Sequence, residues 1–435
     1  MTDYKNLYNE KLTTPKEAVQ LVNPGEEIVF PVNPGEPPML LEAIPQNKKL
    51  EGNYLHRMLP SSGPLDISPH KLKQVSIFLS GADRKYYREG FIDFLPNHFS
   101  DIPSLLLKRT AHPVIMATVS PMDDEGNFSL GTSPSYVASL IEHAKTIILE
   151  VNEKMPRTFG DKNRIHISQV DALIENTVDL PELPTPKLSE KDLEIGNIIG
   201  NIVKDGDTLQ IGFGSMPNAV MECIMDKKDL GVYSEMLPDK IVDLYELGVV
   251  TNKHNPVSPG KTISTFAIGS KRLYEFMNNN KDIVMLPCDV TNSPVNIAKV
   301  DNLVSINSSV EVDFYGQCNS ESVGGMLYSS TGGQADFTKG VRMTKDGRGV
   351  ICLYSTAKKD TISTIVSELA HGSIVSTSKN DVDTVVTEYG KAELIGKTFS
   401  ERAEALIAIA HPDFRAELRQ RAIDKKLIVE ETVLV

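Results

Sequence analysis

SEKDLEIGNIIGNIVKDGDTLQIGFGSMPNAVMECI, residues 189–224, carries in one run the signals that decide the fold class. Ser189 with Asp192 three positions later has the form of a capping box, which satisfies the first unpaired N–H groups of a helix. Leu193, Ile195, Ile198, Ile199, Ile202 and Val203 then recur at near-helical spacing. Lys204-Asp-Gly206 ends that helix, and Asp207-Thr-Leu-Gln-Ile211 reads as a short strand. Glycines follow at 212 and 214, and Pro217-Asn-Ala-Val-Met-Glu222-Cys-Ile reads as the next helix. Helix, turn, strand, glycine loop and helix in that order belong to an alternating α/β domain.

Working outward, the same order occurs near the amino terminus. Thr14-Pro15-Lys-Glu17 combines an N-cap, a proline at the first helical position and a capping-box glutamate. Asn23-Pro-Gly25 is the turn, Glu26-Glu-Ile-Val-Phe-Pro-Val32 the strand, and Pro37-Pro-Met-Leu-Leu-Glu42-Ala-Ile the next helix. Gly25 aligns with Gly206, and Pro37 with Pro217 after a one-residue slip. Between the copies, Pro181, Pro184 and Pro186 rule out continuous helix or central strand, so this stretch reads as a linker. Two tandem, similar α/β domains are therefore expected, over residues 1–185 and 186–435. Further strands are expected at Thr146–Val151, Asp282–Leu286, Gly349–Tyr354 and Asp383–Thr387, and a helix over Ser400–Ala410 broken at Pro412.

Composition narrows the function. The chain has 435 residues, 40% hydrophobic and 24% charged, as expected for a globular protein with large cores. A formal charge of −13 opposes a sequence-independent grip on nucleic acid or anionic lipid. The first residues are polar and charged, unlike a signal peptide, and no apolar run approaches the ~20 residues of a membrane span. Cys223, Cys288, Cys318 and Cys352 make no CxxC pair, which suits a reducing compartment. A cytoplasmic protein without a nucleic-acid or membrane partner is expected.

Three segments could carry chemistry. In Gln210-Ile-Gly212-Phe213-Gly214-Ser215-Met216-Pro217, glycines after a strand let backbone approach a ligand, and the following helix would aim its free N–H groups at a phosphate. Pro217 replaces the third glycine of a dinucleotide fingerprint, and a plain tight turn accounts for the same residues. Glu235, within Gly231-Val-Tyr-Ser-Glu-Met-Leu-Pro-Asp239, lies among apolar neighbours at a strand end. It could be a nucleophile or base, or a solvent-facing strand residue. Gly332-Gly333, in Ser330-Thr-Gly-Gly-Gln-Ala-Asp-Phe337, can offer N–H groups to an oxyanion or simply close a hairpin. Gly260-Lys-Thr262 fails as a P-loop because Asn255 stands at the first glycine. There is no G-x-S-x-G elbow and no HExxH, and Asp123-Asp-Glu-Gly126 reads as an exposed turn.

Together these segments resemble the acetyl-CoA hydrolase/transferase family, in particular its 4-hydroxybutyrate and butyryl-CoA:acetate CoA-transferase branch. The resemblance spans nearly the whole chain. It runs through Ser120-Pro-Met-Asp-Asp-Glu-Gly-Asn-Phe-Ser-Leu-Gly131, the GFGSMPNAV loop, Ser234-Glu-Met236 and Val304-Ser-Ile-Asn-Ser-Ser-Val-Glu-Val-Asp313. The GGQADF turn, Val386-Thr-Glu-Tyr-Gly390 and Ile409-Ala-His-Pro-Asp-Phe-Arg415 complete it.

The resemblance implies two CoA-transferase-type α/β domains with the active site between them, the catalytic glutamate being in the C-terminal one. It makes Glu235 the covalent catalyst and Gly333 the oxyanion-stabilising residue. CoA contacts fall on Gly212, Phe213, Gly214, Ser215, Met216, Asn292, Val310, Gly333 and Lys358. Neither a metal nor a prosthetic group is called for, since coenzyme A arrives as acyl-CoA substrate. A homodimer or higher homo-oligomer is implied. Phe213 and Ser215 depart from the expected isoleucine and small apolar residue, and Leu59-Pro-Ser-Ser-Gly-Pro-Leu-Asp66 is individual. The implied reaction is CoA transfer between a short-chain acyl-CoA and a carboxylate. The low formal charge of the candidate loops favours a neutral acyl tail. An acyl-CoA hydrolase and a non-catalytic CoA or sugar-phosphate binder are the alternatives.

Overall fold

The computed structural model describes residues 4–429. It divides into two compact units. The first takes the chain to Pro184 together with Ser234–Val242 and Lys261–Ser293; the second holds Thr185–Tyr233, Asp243–Gly260 and the chain from Pro294 onward.

The first unit is built on a seven-stranded, wholly parallel sheet. Its order is Ile92–Phe94, Leu72–Phe78, Asn53–Met58, Glu27–Val32, Val114–Val119, Thr146–Val151 and Ala172–Glu175. Every residue of Glu27–Val32, Val114–Val119 and Thr146–Val151 is buried, as parallel strands covered on both faces require. The strand period of two splits them between two cores. Val29, Ile115, Ala117, Ile147 and Leu149 enter one, while Ile28, Phe30, Val114, Met116 and Ile148 enter the other. Glu150 breaks the apolar run for a reason. The helix Pro38–Ala43 has Pro37 at its N-cap and no side-chain cap of its own. Glu150 Oε2 accepts the N–H groups of Met39 and Leu40, both at 3.0 Å, and Asn176 Nδ2 donates to Oε1 at 2.6 Å. Burial pushes this carboxyl up to about 7 against those hydrogen bonds.

A second, smaller set of parallel strands in the same unit carries Glu235. Met236–Leu237 pairs with Phe266–Ala267, and Thr262–Ser264 with Ile283–Met285. Met236, Phe266, Ile268 and Cys288 join the core that includes Ile115 and Leu149. A division of the chain at 185/186 would group Glu235 with the C-terminal half. Its packing groups it with the amino-terminal unit, because Met236, directly after it, joins the core there.

The second unit holds a six-stranded sheet ordered Gly231–Val232, Thr208–Ile211, Leu303–Ser308, Arg348–Cys352, Thr384–Thr387 and Gly390–Glu393. Only the last pair is antiparallel. The capping box at Ser189 forms as read, with Ser189 Oγ accepting from the Asp192 N–H and the Asp192 carboxylate from the Ser189 N–H. The helix it starts, Glu190–Gly200, packs on the helix Ser215–Glu222 at close range. A Cβ on Gly196 would lie 2.7 Å from the Ala219 carbonyl oxygen, so only glycine permits this approach. The later helix Phe399–Ile409 ends before Pro412, which opens the helix Pro412–Asp424 at its first position.

Candidate active site

Glu235 sits in the first unit with its backbone fixed by three donors. Its carbonyl oxygen accepts the N–H groups of Thr265 at 3.0 Å and Phe266 at 3.2 Å, and the Ser264 hydroxyl at 3.0 Å. The half-buried carboxylate receives the Asn292 side-chain amide, Nδ2 to Oε2, at 2.6 Å. That distance is short for N–H···O and belongs to a charge-assisted bond. Asn292 is fully buried and follows the short helix Cys288–Thr291 as its C-cap. The Thr291 hydroxyl donates to Asn292 Oδ1 at 3.0 Å, which turns the NH₂ end of the amide toward Glu235. Thr291, like Ser264, was not singled out in the sequence. Neither lies in a distinctive motif, and each acts only through a neighbour that the fold supplies.

The remaining candidates lie in the second unit. Gly214 is the N-cap of the helix Ser215–Glu222, with φ 122° and no side-chain cap, so the first turn presents backbone N–H groups rather than a capped end. The helix thus begins two residues ahead of Pro217, which sits inside its first turn. Phe213 is 51% exposed although it is a large aromatic residue, and Gly212 has open space where a Cβ would stand. Ser215 Oγ lies 3.1 Å from the Tyr354 hydroxyl, which explains a polar residue at a position where an apolar one was expected. Met216 is half-buried in the same first turn.

Lys358 is exposed in the turn joining Thr356–Ala357 to Ile362–Ser363. It begins three successive left-handed residues, Lys358, Lys359 and Asp360, with φ of 48°, 57° and 64°. Gly333 is buried and caps the helix Gln334–Val341, so the Gly332-Gly333 pair closes no hairpin. Val310 is half-buried and donates its N–H to the Asn319 carbonyl at 2.9 Å. The two acids after it are structural. Glu311 accepts from Asn319 Nδ2 and Ser373 Oγ, both at 2.8 Å, and Asp313 accepts from the Tyr315 and Gln317 N–H groups. In the first unit, the individual segment after Leu59 is held by Arg57, whose guanidinium pairs with buried Glu36 and donates to Ser62 and Gly63.

Among the described residues no group of three or more His, Cys, Asp or Glu side chains could hold a metal ion, and no helix is long and apolar enough to cross a membrane. The Asp123 segment is a turn, in which Asp123 Oδ1 accepts the N–H groups of Glu125 and Asn127.

A half-buried carboxylate held by a buried amide is a group suited to acyl chemistry. Comparison with known proteins agrees. The acetyl-CoA hydrolase/transferase N-terminal domain matches residues 1–186 and the corresponding C-terminal domain residues 269–422. The chain therefore belongs to the acetyl-CoA hydrolase/transferase family, as an enzyme of the CoA-transferase class.

More particularly, it is 44% identical over 423 residues to the succinyl-CoA:cyclohexane-1-carboxylate CoA transferase of Geobacter metallireducens, covering 96% of each chain. It is 40% identical to the 4-hydroxybutyrate coenzyme A transferase of Clostridium kluyveri, covering 96% of this chain and 98% of that one. Among solved structures, RipA from Yersinia pestis superposes with a TM-score of 0.92 at 36% identity, over 98% of this chain and all of the other. The family and the α/β class read from the motifs are thus both met.

Proposed function

We propose that the protein transfers CoA between a short-chain acyl-CoA and a free carboxylate by a ping-pong route through a γ-glutamyl-CoA thioester on Glu235. Acetate is one partner, and butyrate or 4-hydroxybutyrate the other. The observation that carries this reading is the 2.6 Å bond from the buried Asn292 amide to the Glu235 carboxylate, which aims a half-buried carboxylate.

The Glu235 carboxylate attacks the thioester carbonyl, forming a mixed anhydride and expelling CoA thiolate. The thiolate attacks the glutamyl carbonyl, releasing the first carboxylate and leaving the glutamyl thioester. An incoming carboxylate attacks that thioester, and the thiolate released then attacks the acyl carbonyl of the new anhydride. The products are a new acyl-CoA and the original Glu235 carboxylate. No proton is consumed and no water enters, so the thioester free energy is conserved. The Gly333 N–H serves the oxyanion, and the Gly212–Met216 loop, Asn292, Val310 and Lys358 serve CoA. The same reading takes the enzyme to be a cytoplasmic homodimer.

Incubation with acetyl-CoA and a panel of carboxylates, including butyrate, 4-hydroxybutyrate and cyclohexanecarboxylate, tests the proposal. New acyl-CoA and a Glu235 peptide heavier by one CoA are expected, and Glu235→Ala should lose both. Free CoA as the sole product would make the enzyme a hydrolase. Full transfer by the alanine variant would remove Glu235 from the mechanism.

A further inference from the structure

The two loops assigned to CoA in the second unit are fastened to one helix turn by side chains outside the loops themselves. The Tyr354 hydroxyl donates to Asp192 Oδ1 at 2.6 Å. A phenol has a single proton, so in the 3.1 Å contact with Ser215 the serine must be the donor. Asp192 is in turn held by Ser189, whose N–H and Oγ reach Oδ2 at 2.8 and 2.6 Å. Burial alone would raise the Asp192 carboxyl, but the hydrogen bonds from Ser189 and Tyr354 outweigh it and hold the group below its ordinary value. The anchor of the Ser215 loop is therefore ionised at neutral pH.

The preceding residue, Lys191, fastens the other loop. Its Nζ lies 2.6 Å from Asp360 Oδ1, 3.2 Å from Thr356 Oγ1 and 3.5 Å from Glu388 Oε1. Glu388 in turn accepts the Ser355 N–H and hydroxyl, each at 2.8 Å. Both loops need such anchors. Gly214 caps its helix without a side chain, and three consecutive non-glycine residues at Lys358–Asp360 hold a left-handed backbone that disfavours residues with a Cβ. A strained turn persists only where its surroundings over-determine it. Tyr354 is the link between the two: it ends the chain segment that leads into the lysine turn, and its hydroxyl meets the Ser215 loop.

We propose that Tyr354 is a positioning residue that, with Lys191 and Asp192, sets the spacing of the Gly212–Met216 loop and the Lys358 turn and so the grip on the nucleotide end of CoA. This rests on the reading of those loops as CoA contacts. Tyr354 touches neither the thioester nor Glu235 in this role, so its loss falls on CoA recognition rather than on the acyl chemistry.

Tyr354→Phe keeps the ring and deletes both hydrogen bonds; Ser215→Ala deletes one. Steady-state kinetics would be measured with an acyl-CoA and with the same acyl group on pantetheine, which lacks the nucleotide. Isothermal titration with free CoA and a melting curve accompany each variant. Loss of one hydrogen bond to a carboxylate and one between hydroxyls predicts a rise of about 5- to 30-fold in KM for acyl-CoA and in Kd for CoA in Tyr354→Phe, with a smaller rise in Ser215→Ala. The KM for the free carboxylate and the kcat/KM for acyl-pantetheine should stay within about twofold of the wild type. Equal losses with both thioesters, or no loss with either in a folded variant, would overturn the role of Tyr354. A wild-type enzyme that neither binds CoA nor transfers it would overturn the CoA reading and this inference together.

Discussion

Replacing Asn292 by alanine removes a side-chain amide that donates to the Glu235 carboxylate, and the structure sets the size of the effect. The bond is 2.6 Å long, it ends on a carboxyl oxygen, and its donor is fully buried. Hydrogen bonds to charged groups contribute about 1.5–3 kcal/mol, which converts to a loss of about 10- to 150-fold in rate if the bond strengthens by that much on reaching the transition state. The direction follows from where charge moves. When CoA thiolate attacks the glutamyl carbonyl, negative charge returns to a Glu235 oxygen, and an amide already aimed there stabilises the tetrahedral stage without reorganising. Little stability is at stake, because the Thr291 hydroxyl can fall back on the Pro287 carbonyl at 3.3 Å. The assay is rapid quenching of enzyme mixed with acyl-CoA, reading the glutamyl-CoA adduct by mass, with a melting curve on the same sample. An unchanged rate of adduct formation in folded Asn292→Ala would show that the amide stabilises the resting carboxylate as much as the transition state, and would refute this reasoning.

Three further outcomes follow from the same geometry. Gly333→Val should lower turnover about 100-fold or more in a folded protein; Gly333 has φ −89°, open to any residue, so the loss would come from side-chain bulk beside the N–H, and unchanged kinetics would return this glycine to a helix-capping role. Lys358→Ala should raise the KM for acyl-CoA several-fold and leave that for the carboxylate unmoved, an effect that shrinks in high salt because the lysine is exposed; equal effects on both substrates would reject it as a phosphate contact. Glu150 is held protonated to a higher pH in the folded state, about 7, than in the unfolded chain, so its ionisation destabilises the fold as pH rises from about 4.5 to about 7 and adds nothing further above that. The unfolding free energy of Glu150→Gln relative to wild type, from denaturant titrations, should rise over that window by about 3 kcal/mol at most, and parallel pH profiles would contradict the burial of this carboxyl.

What could be read along the chain was what neighbouring residues decide. The strand Thr146–Val151 and the capping box at Ser189 lie where they were expected, because strand burial and helix capping act over a few residues. The helix expected over 400–410 forms as Phe399–Ile409. The glycine loops and Glu235 were legible as candidates for the same reason: each is a local departure from the pattern of its element. Their roles came only with the family resemblance, since a glycine turn and a ligand loop share one local signature.

The sequence by itself thus determined the α/β class and, as candidates, the short list of chemistry-bearing segments. Only the tertiary structure decided which unit packs around Glu235, that Asn292 reaches it across 57 positions, and that Tyr354 joins Asp192 across 162. The reason is physical. Capping, turn geometry and hydrophobic periodicity are properties of short stretches of chain, whereas a hydrogen bond of 2.6 Å between distant residues exists only after burial has fixed both backbones, and no local pattern encodes that distance.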